Sequence, residues 1–235
     1  MGIVLKEIIK KYPVGNGGKE QVVLNGLSLS VQDGEIVAIK GKSGAGKSTL
    51  LHIMGLLDVM DSGSYLLDDI DVSCLGNKEM AKMRNKKIGF VLQDYGLVED
   101  ETVLYNVELP LMFSSAKLRK IQSAARKTLR KIGVENLCDK KVSVLSGGEK
   151  QRVAIARALV SEPNYIMADE PTGALDSKMG NEILKFFKQL NKEMGITIVM
   201  ITHEFDIAKY ASRLIHIRDG HINYDGPMPK TDRNL

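Results

Sequence analysis

One glycine-rich segment constrains the fold of this chain more than any other feature. Residues 41–48 read GKSGAGKS and fit the pattern G-x-x-x-x-G-K-[ST]. The apolar run 35–40 precedes them, and the next apolar residues, in 50–54, have helical spacing. The order of strand, glycine-rich loop and helix predicts an α/β fold whose central sheet is largely parallel.

The same segment has the composition of a phosphate-binding loop. Its glycines let successive backbone N–H groups turn inward, and the helix that follows adds the positive end of its dipole. Lys47 supplies a point charge, and the Ser48 hydroxyl is placed to bind Mg²⁺. We expect eight residues of this loop and helix start to bind a nucleotide: Gly41, Ser43, Gly44, Ala45, Gly46, Lys47, Ser48 and Thr49.

A second apolar run ends in two acidic residues. Residues 165–168 are apolar, and Asp169 and Glu170 follow them. Ligands of open α/β sheets bind at the strand ends, so we expect Asp169 to hold Mg²⁺ directly or through water. Glu170 would then face the γ-phosphate and polarise the attacking water. Two acids at a strand end are more often a solvated turn, and it is their combination with Lys47 that indicates nucleotide hydrolysis.

Three further apolar runs and one alternating stretch complete the predicted sheets. The apolar runs predict buried strands at 88–92, 196–201 and 214–217. Residues 22–31 alternate apolar and polar side chains, with turn signals at Asn25-Gly26 and Asp33-Gly34. This second pattern predicts an antiparallel β layer beside the parallel core.

The stretch 94–161 differs from the rest of the chain. It contains a Lys/Arg-rich segment with helical spacing and no convincing strand pattern. We therefore expect one domain that consists of a core, 1–93 and 162–235, and a helical subdomain, 94–161, inserted into that core.

Composition and charge exclude several classes of protein. None of the apolar runs approaches the roughly 18 residues that a membrane span requires. The 33 basic residues are interleaved with 29 acidic ones and the net charge is +4, so nucleic acid is not an expected partner. Cys74 and Cys138 are isolated and outside any C-x-x-C spacing, which is typical of ordinary thiols in a reducing cytosol.

A third motif shows a resemblance to a known family. Residues 145–152 read LSGGEKQR and resemble the signature motif of ATP-binding cassette (ABC) proteins. The resemblance covers nearly the whole chain and implies a RecA-like P-loop NTPase with a mainly parallel sheet core, an antiparallel β subdomain and an inserted α-helical subdomain. In this family the signature, here Ser146, Gly147, Gly148 and Glu149, caps the γ-phosphate held by a second subunit. The resemblance therefore implies an ATP-dependent head-to-tail homodimer.

Four other residues match positions of the ABC family. Tyr12 matches the aromatic residue that stacks on adenine, and Gln93 matches the glutamine that approaches Mg²⁺ and the attacking water. Asp176 matches the loop that crosses the dimer interface, and His203 matches the histidine that contacts the γ-phosphate. The resemblance implies an active ATPase that uses Mg²⁺ and whose catalytic residues are Glu170, His203 and Gln93.

Two positions depart from the family pattern. Glu149 stands where many members have glutamine, and Lys40 occupies a strand position that is usually apolar. Neither change removes a catalytic group.

Within the family, the chain resembles small cassettes that serve macrolide-efflux, lipoprotein-release, cell-division and antimicrobial-peptide-resistance permeases. The resemblance rests on residues 88–93, 106–111 and 168–177. It implies a cytoplasmic subunit, peripheral on the inner face of the membrane, that powers a separate permease for export or extraction of peptides, lipoproteins or hydrophobic drugs. The apolar side chains after Gln93 are where a permease helix would dock, although core packing of the helical subdomain explains many of them equally well: Tyr95, Leu97, Val98 and Leu104.

Two alternatives stay open. One is a regulatory cassette that drives a cell-wall or division machine without transport, and the other is a soluble cassette such as an iron–sulfur-assembly ATPase. DNA-maintenance relatives insert long coiled coils between the phosphate motifs, whereas Lys47 and Asp169 are only 122 residues apart here, 169 minus 47. Ribosome-acting relatives usually carry two cassettes in one chain.

Overall fold

The computed structural model describes residues 2–15, 19–114 and 116–229. Within these residues the strands are β1 Gly2–Val14, β2 Lys19–Gln32, β3 Ile36–Lys40, β4 Ser62–Leu67, β5 Ile70–Asp71, β6 Ile88–Val91, β7 Tyr165–Asp169, β8 Thr197–Ile201, β9 Arg213–Arg218 and β10 His221–Pro227. The helices are α1 Lys47–Met54, α2 Asn77–Lys87, α3 Val103–Met112, α4 Leu118–Ile132, α5 Gly147–Leu159, α6 Ser177–Met194 and α7 Phe205–Ala208. None of these helices is long and apolar enough to cross a membrane.

The larger sheet is the predicted parallel core. Its strands lie in the order β10-β9-β3-β8-β7-β6, and all of them run parallel except β10, which pairs antiparallel with β9. Each apolar run that predicted a buried strand coincides with one of β3, β6, β7, β8 and β9. Parallel strands end at the same edge of a sheet, so the residues that follow β3, β6, β7 and β8 meet there.

The smaller sheet is antiparallel, with its strands in the order β2-β1-β4-β5. The predicted antiparallel layer is confirmed, and Asp33-Gly34 forms the turn that leads to β3. The prediction of a turn at Asn25-Gly26 is wrong, because both residues lie inside β2. Ile8 pairs with Leu27 and Ile9 with Asn25, which leaves Gly26 as an extra residue with a φ of 70°. Gly26 therefore forms a β-bulge.

Two apolar clusters cover the faces of the parallel sheet. One fills the space between that sheet, α1 and the antiparallel sheet, and includes Leu24 and Leu50. The other joins the opposite face to α3–α6, and includes Val107 and Phe187. The described residues between 94 and 161 belong to no strand of either sheet. Because their helices share one apolar cluster with the sheet, the subdomain boundaries at 94 and 161 stay a prediction.

Candidate nucleotide site

The phosphate loop joins β3 to α1 in a conformation that only glycine adopts without strain. Gly44 and Gly46 have φ of 77° and 100°. A Cβ on Gly46 would lie 2.9 Å from the carbonyl oxygen of Val23, and one on Gly41 would lie 2.3 Å from that of Ile217. Gly46 is the N-cap of α1 and has no side chain, so it offers no side-chain acceptor to the first N–H groups of the helix. This is the geometry of an anion site at a helix N-terminus.

Lys47 lies over this loop. Its Nζ donates to the carbonyl oxygens of Gly41 and Lys42, each at 2.9 Å. The ammonium group is therefore held beside the backbone that the sequence pattern predicts to bind the phosphates. An ammonium group in this position can exchange its hydrogen bonds to two carbonyl oxygens for hydrogen bonds to phosphate oxygens with little movement of the side chain.

Asp169 ends β7 and faces the start of α1. Burial raises the pKa of its carboxyl, the Ser48 hydroxyl donates to it, and the neighbouring charge of Glu170 raises the pKa further. A cation at this point would offset both unfavourable effects. The donors are a hydroxyl and a carboxylate, which suit Mg²⁺ because this ion commonly takes one or two carboxylates and fills its other positions with water and phosphate oxygens. The described residues contain no group of three or more His, Cys, Asp or Glu side chains that could hold a metal.

Glu170 and His203 meet at the same edge of the sheet. His203 Nδ1 lies 3.1 Å from Glu170 Oε1. Glu170 has a φ of 44°, a left-handed conformation that a side-chain-bearing residue adopts at a cost, and its N–H donates to the carbonyl of Ile201 at 3.1 Å. The strained backbone turns the carboxylate toward the histidine that follows the neighbouring strand.

Gln93 faces Glu170 across Gly173. A Cβ on Gly173 would lie 3.3 Å from Gln93 Nε2 and 3.4 Å from Glu170 Oε2. Gln93 and Asp169 also line one open cleft of about 520 Å³. The absent side chain at position 173 therefore leaves space for the amide and the two acids to share one site.

Tyr12 lies beside α1 at the margin of this site. Its hydroxyl donates to Asp58 Oδ2 at 2.6 Å and forms a hydrogen bond with the Thr49 side chain. Asp58 also accepts from Lys10 Nζ at 2.8 Å, and that ammonium lies 5.0 Å from the centroid of the Tyr12 ring. Sequence reasoning missed Lys10 and Asp58, since neither belongs to a recognisable pattern.

The signature segment lies elsewhere. Ser146 is the N-cap of α5 and forms a capping box with Glu149, whose Oε2 accepts from Ser146 Oγ at 2.7 Å and from Ser146 N at 2.8 Å. A Cβ on Gly147 would lie 3.0 Å from Tyr95 Oη, and one on Gly148 would lie 2.8 Å from Met179 Sδ. The nearest neighbours of these glycines thus come from 95 and 174–179, not from the phosphate loop.

Asp176 is close to this second region. It is the N-cap of α6 and its Oδ1 accepts from Met179 N at 2.9 Å. The structure therefore brings the predicted site residues together in two groups. One surrounds the phosphate loop: Tyr12, Gly41, Ser43, Gly44, Ala45, Gly46, Lys47, Ser48, Thr49, Gln93, Asp169, Glu170 and His203. The other surrounds the start of α5: Ser146, Gly147, Gly148, Glu149 and Asp176.

Two contacts that sequence reasoning missed connect α5 to the loops of the first group. Arg157 donates to the carbonyl oxygen of Tyr95 at 2.8 Å and to that of Gly96. The buried Gln151 Nε2 donates to the carbonyl oxygen of Pro171 at 2.5 Å. An arginine or glutamine inside a helix has no spacing that marks it as a clamp, so the sequence holds no signal for either contact.

Comparison with known proteins identifies the family. A sequence profile described as ABC transporter matches residues 24–173, which is well over half of the chain. The chain belongs to the ABC transporter family. It is an ATP-binding cassette, and the cassette binds and hydrolyses ATP with Mg²⁺. The expected P-loop NTPase fold, with its parallel core and antiparallel β layer, is confirmed.

Individual relatives agree with this assignment. The ABC transporter ATP-binding protein YvrO of Bacillus subtilis is 47% identical over 95% of this chain and 96% of its own length. The macrolide export ATP-binding/permease protein MacB of Escherichia coli is 42% identical over 98% of this chain, which spans only 36% of MacB. Among solved structures, the cassette MJ0796 superposes on this chain with a TM-score of 0.87 and 39% sequence identity. The match covers 97% of this chain and 100% of that chain, and the structure shows MJ0796 as a dimer in a post-hydrolysis state with ADP and Pi.

Proposed function

We propose that the cassette closes head to tail with a second copy around two ATP molecules and that this closure drives a separate membrane permease. One observation carries the first part of the proposal. The cassette has two helix N-termini suited to anions, at α1 and α5, and the neighbours of the second come from Tyr95 and 174–179. Because the nearest neighbours of Gly147 and Gly148 do not include the phosphate loop, we infer that the second N-terminus serves the nucleotide of a partner copy.

The position of Asp176 supports the same arrangement. Its loop lies against Gly147 and Gly148, so the two segments that the resemblance assigns to the dimer interface form one surface. Ser146, Gly147, Gly148 and Glu149 of each copy would cap the γ-phosphate of the other, giving two equivalent sites related by two-fold symmetry. The solved relative MJ0796 is a dimer.

Within each site, the side chains around the phosphate loop divide the chemistry. Lys47 would release the carbonyls of Gly41 and Lys42 and bind the β- and γ-phosphates. Ser48, Gln93 and Asp169 would hold Mg²⁺, which when bound neutralises charge on the phosphates.

Glu170 would accept a proton from the attacking water while a water oxygen–phosphorus bond forms and the bond to the ADP oxygen breaks. His203, 3.1 Å from Glu170 Oε1, would orient that carboxylate and contact the γ-phosphate. Tyr12 would stack on adenine beside the Thr49 end of the loop.

The permease is the proposed partner that places the cassette on the inner face of the membrane. MacB, whose description joins an ATP-binding and a permease function for macrolide export, contains a region 42% identical to this chain. The substrates we propose are peptides, lipoproteins or hydrophobic drugs, antimicrobial peptides included. Of the apolar residues after Gln93, Val98 is exposed, whereas Leu97 and Leu104 pack against the core cluster. Val98 is therefore the most accessible residue of this set to a permease helix, since Tyr95, Leu97 and Leu104 are half-buried.

The test is to trap the closed state and recover what is attached to it. Glu170→Gln should bind ATP and turn it over on the order of a hundredfold more slowly than the unaltered cassette. In detergent-solubilised membranes with Mg-ATP, the trapped variant should co-purify with a permease, which mass spectrometry would identify. Lys47→Ala is the matched control, because it loses the phosphate contacts and should recover neither dimer nor permease. Recovery of soluble proteins alone would contradict the proposal and favour the soluble-cassette alternative.

A further inference from the structure

Lys40 is the departure from the family pattern that the proposed chemistry leaves unused. It ends β3, directly before the phosphate loop, and is half-buried. Its Nζ lies 5.4 Å from the centroid of the Phe205 ring, and Nζ of Lys209 lies 5.1 Å from the same centroid. Both distances are within the range in which an ammonium group is attracted to an aromatic face. Two cations therefore hold one ring at the end of the strand that carries the phosphate loop.

Phe205 is two residues after His203, and hydrogen bonds donated by backbone N–H groups hold the residues on either side of His203. The N–H of Thr202 donates to the carbonyl of Ile39 at 3.1 Å, and the N–H of Glu204 donates to Thr202 Oγ1 at 3.1 Å. Fixing the ring of Phe205 against β3 therefore restricts where residue 203 can lie. The His203 side chain is exposed, with a relative accessibility of 60%, so its 3.1 Å contact with Glu170 Oε1 is supported by this backbone connection to Phe205.

We propose that Lys40 is a positioning residue for ATP hydrolysis: its ammonium group holds the Phe205 ring and thereby keeps His203 against Glu170. The inference rests on the proposed roles of His203 and Glu170 and adds a residue from β3, the strand that pairs with β8. Lys40 makes no contact with the nucleotide in this mechanism. Its removal should slow the chemical step and leave ATP binding unchanged.

The experiment compares four single variants and one double variant by kcat and KM for ATP and by melting temperature. Lys40→Met keeps the length of the side chain without its charge, and kcat should fall about three- to tenfold with KM unchanged. Lys40→Arg keeps a cation that can lie on the ring and should retain most of the activity. Lys188→Met is the matched control, because it removes a cation 5.2 Å from the Tyr210 ring, a similar pair that does not involve Phe205, and should not alter kcat. His203→Ala supplies the reference for loss of the histidine.

The outcomes separate this inference from the proposed function. In the His203→Ala background, Lys40→Met should have no additional effect on kcat, because the residue it positions is gone. Unchanged turnover in Lys40→Met, together with slow turnover in His203→Ala, would overturn the role of Lys40 alone. A raised KM in Lys40→Met, or low activity in Lys40→Arg, would overturn it as well. Unchanged turnover in His203→Ala would overturn the proposed role of His203 itself.

Discussion

Replacing Arg157 with methionine removes the clamp between α5 and the loop after Gln93. The guanidinium donates to the carbonyl oxygens of Tyr95 and Gly96, two consecutive residues with left-handed φ of 64° and 57°. A left-handed conformation at a tyrosine persists only when its surroundings hold it. Arg157 is half-buried, and this burial lowers the pKa of its guanidinium.

The expected loss of stability follows from those two bonds. A hydrogen bond from a charged donor contributes roughly 1.5–3 kcal/mol. Two such bonds, less the cost of burying the guanidinium, leave a net contribution of about 3 kcal/mol. For a chain of 235 residues, this corresponds to a decrease in melting temperature of roughly 6–12 °C in Arg157→Met.

Differential scanning calorimetry of the nucleotide-free cassette measures this decrease. Arg130→Met is the matched control: Arg130 binds Glu135 through two bonds of 2.7 Å, but the Arg130 side chain is exposed and that of Glu135 is half-buried, so the melting temperature should fall by less than about 4 °C. Arg157→Lys, whose ammonium group cannot span both carbonyls, should have a melting temperature between those of Arg157→Met and Arg130→Met. Equal melting temperatures for Arg157→Met and Arg130→Met would refute the clamp.

Two further predictions concern the nucleotide site. Gly46→Ala should abolish ATP binding, measured by isothermal titration calorimetry, because the φ of 100° at this position and the Val23 carbonyl exclude a Cβ. The control Gly195→Ala, at a position with a φ of 66° and open space around it, should bind ATP normally. ATP binding by Gly46→Ala would contradict the loop geometry. Tyr12→Ala should weaken ATP binding by about 1–3 kcal/mol through loss of ring stacking, whereas Tyr12→Phe keeps the ring and loses only the hydrogen bonds of the hydroxyl to Asp58 and Thr49. Equal affinities for these two variants would remove Tyr12 from the adenine site.

The parallel core and the phosphate loop were predictable from the sequence because their signals are local. A strand buried on both faces reads as one apolar run, as β8 does, and a glycine-rich loop between a strand and a helix has few structural alternatives. Asp169, Glu170 and His203 follow such runs, so their meeting at one edge follows from the parallel topology alone.

The first strand could not be predicted because its alternation changes phase. Ile3 and Leu5 are buried, and then Ile8 and Lys10 are buried, with a register shift between Lys6 and Ile9. A bulge moves the buried face by one residue, so neither a strand nor a helix period fits the whole segment. The helix α2 was missed for another reason: it contains no buried residue and therefore no apolar stripe.

The side chains that connect the site to its surroundings were missed as well. Asp58 reaches Tyr12 and Lys10 across 46 and 48 residues of sequence. Arg157 reaches Gly96 across 61 residues. Such contacts depend on the tertiary fold, and a single charged residue in a loop or helix gives no periodic or spacing signal of its partner.

The most direct test of the account is whether Ser146 serves the nucleotide of the other copy. Sedimentation velocity with Mg-ATP should show Glu170→Gln as a dimer and Glu170→Gln with Ser146→Arg as a monomer, while both bind ATP with the same affinity in the monomeric state. That result would show that the start of α5 is needed for closure and not for binding within one copy. A Ser146→Arg variant that dimerises as well as its parent, or that loses ATP affinity as a monomer, would contradict the composite site.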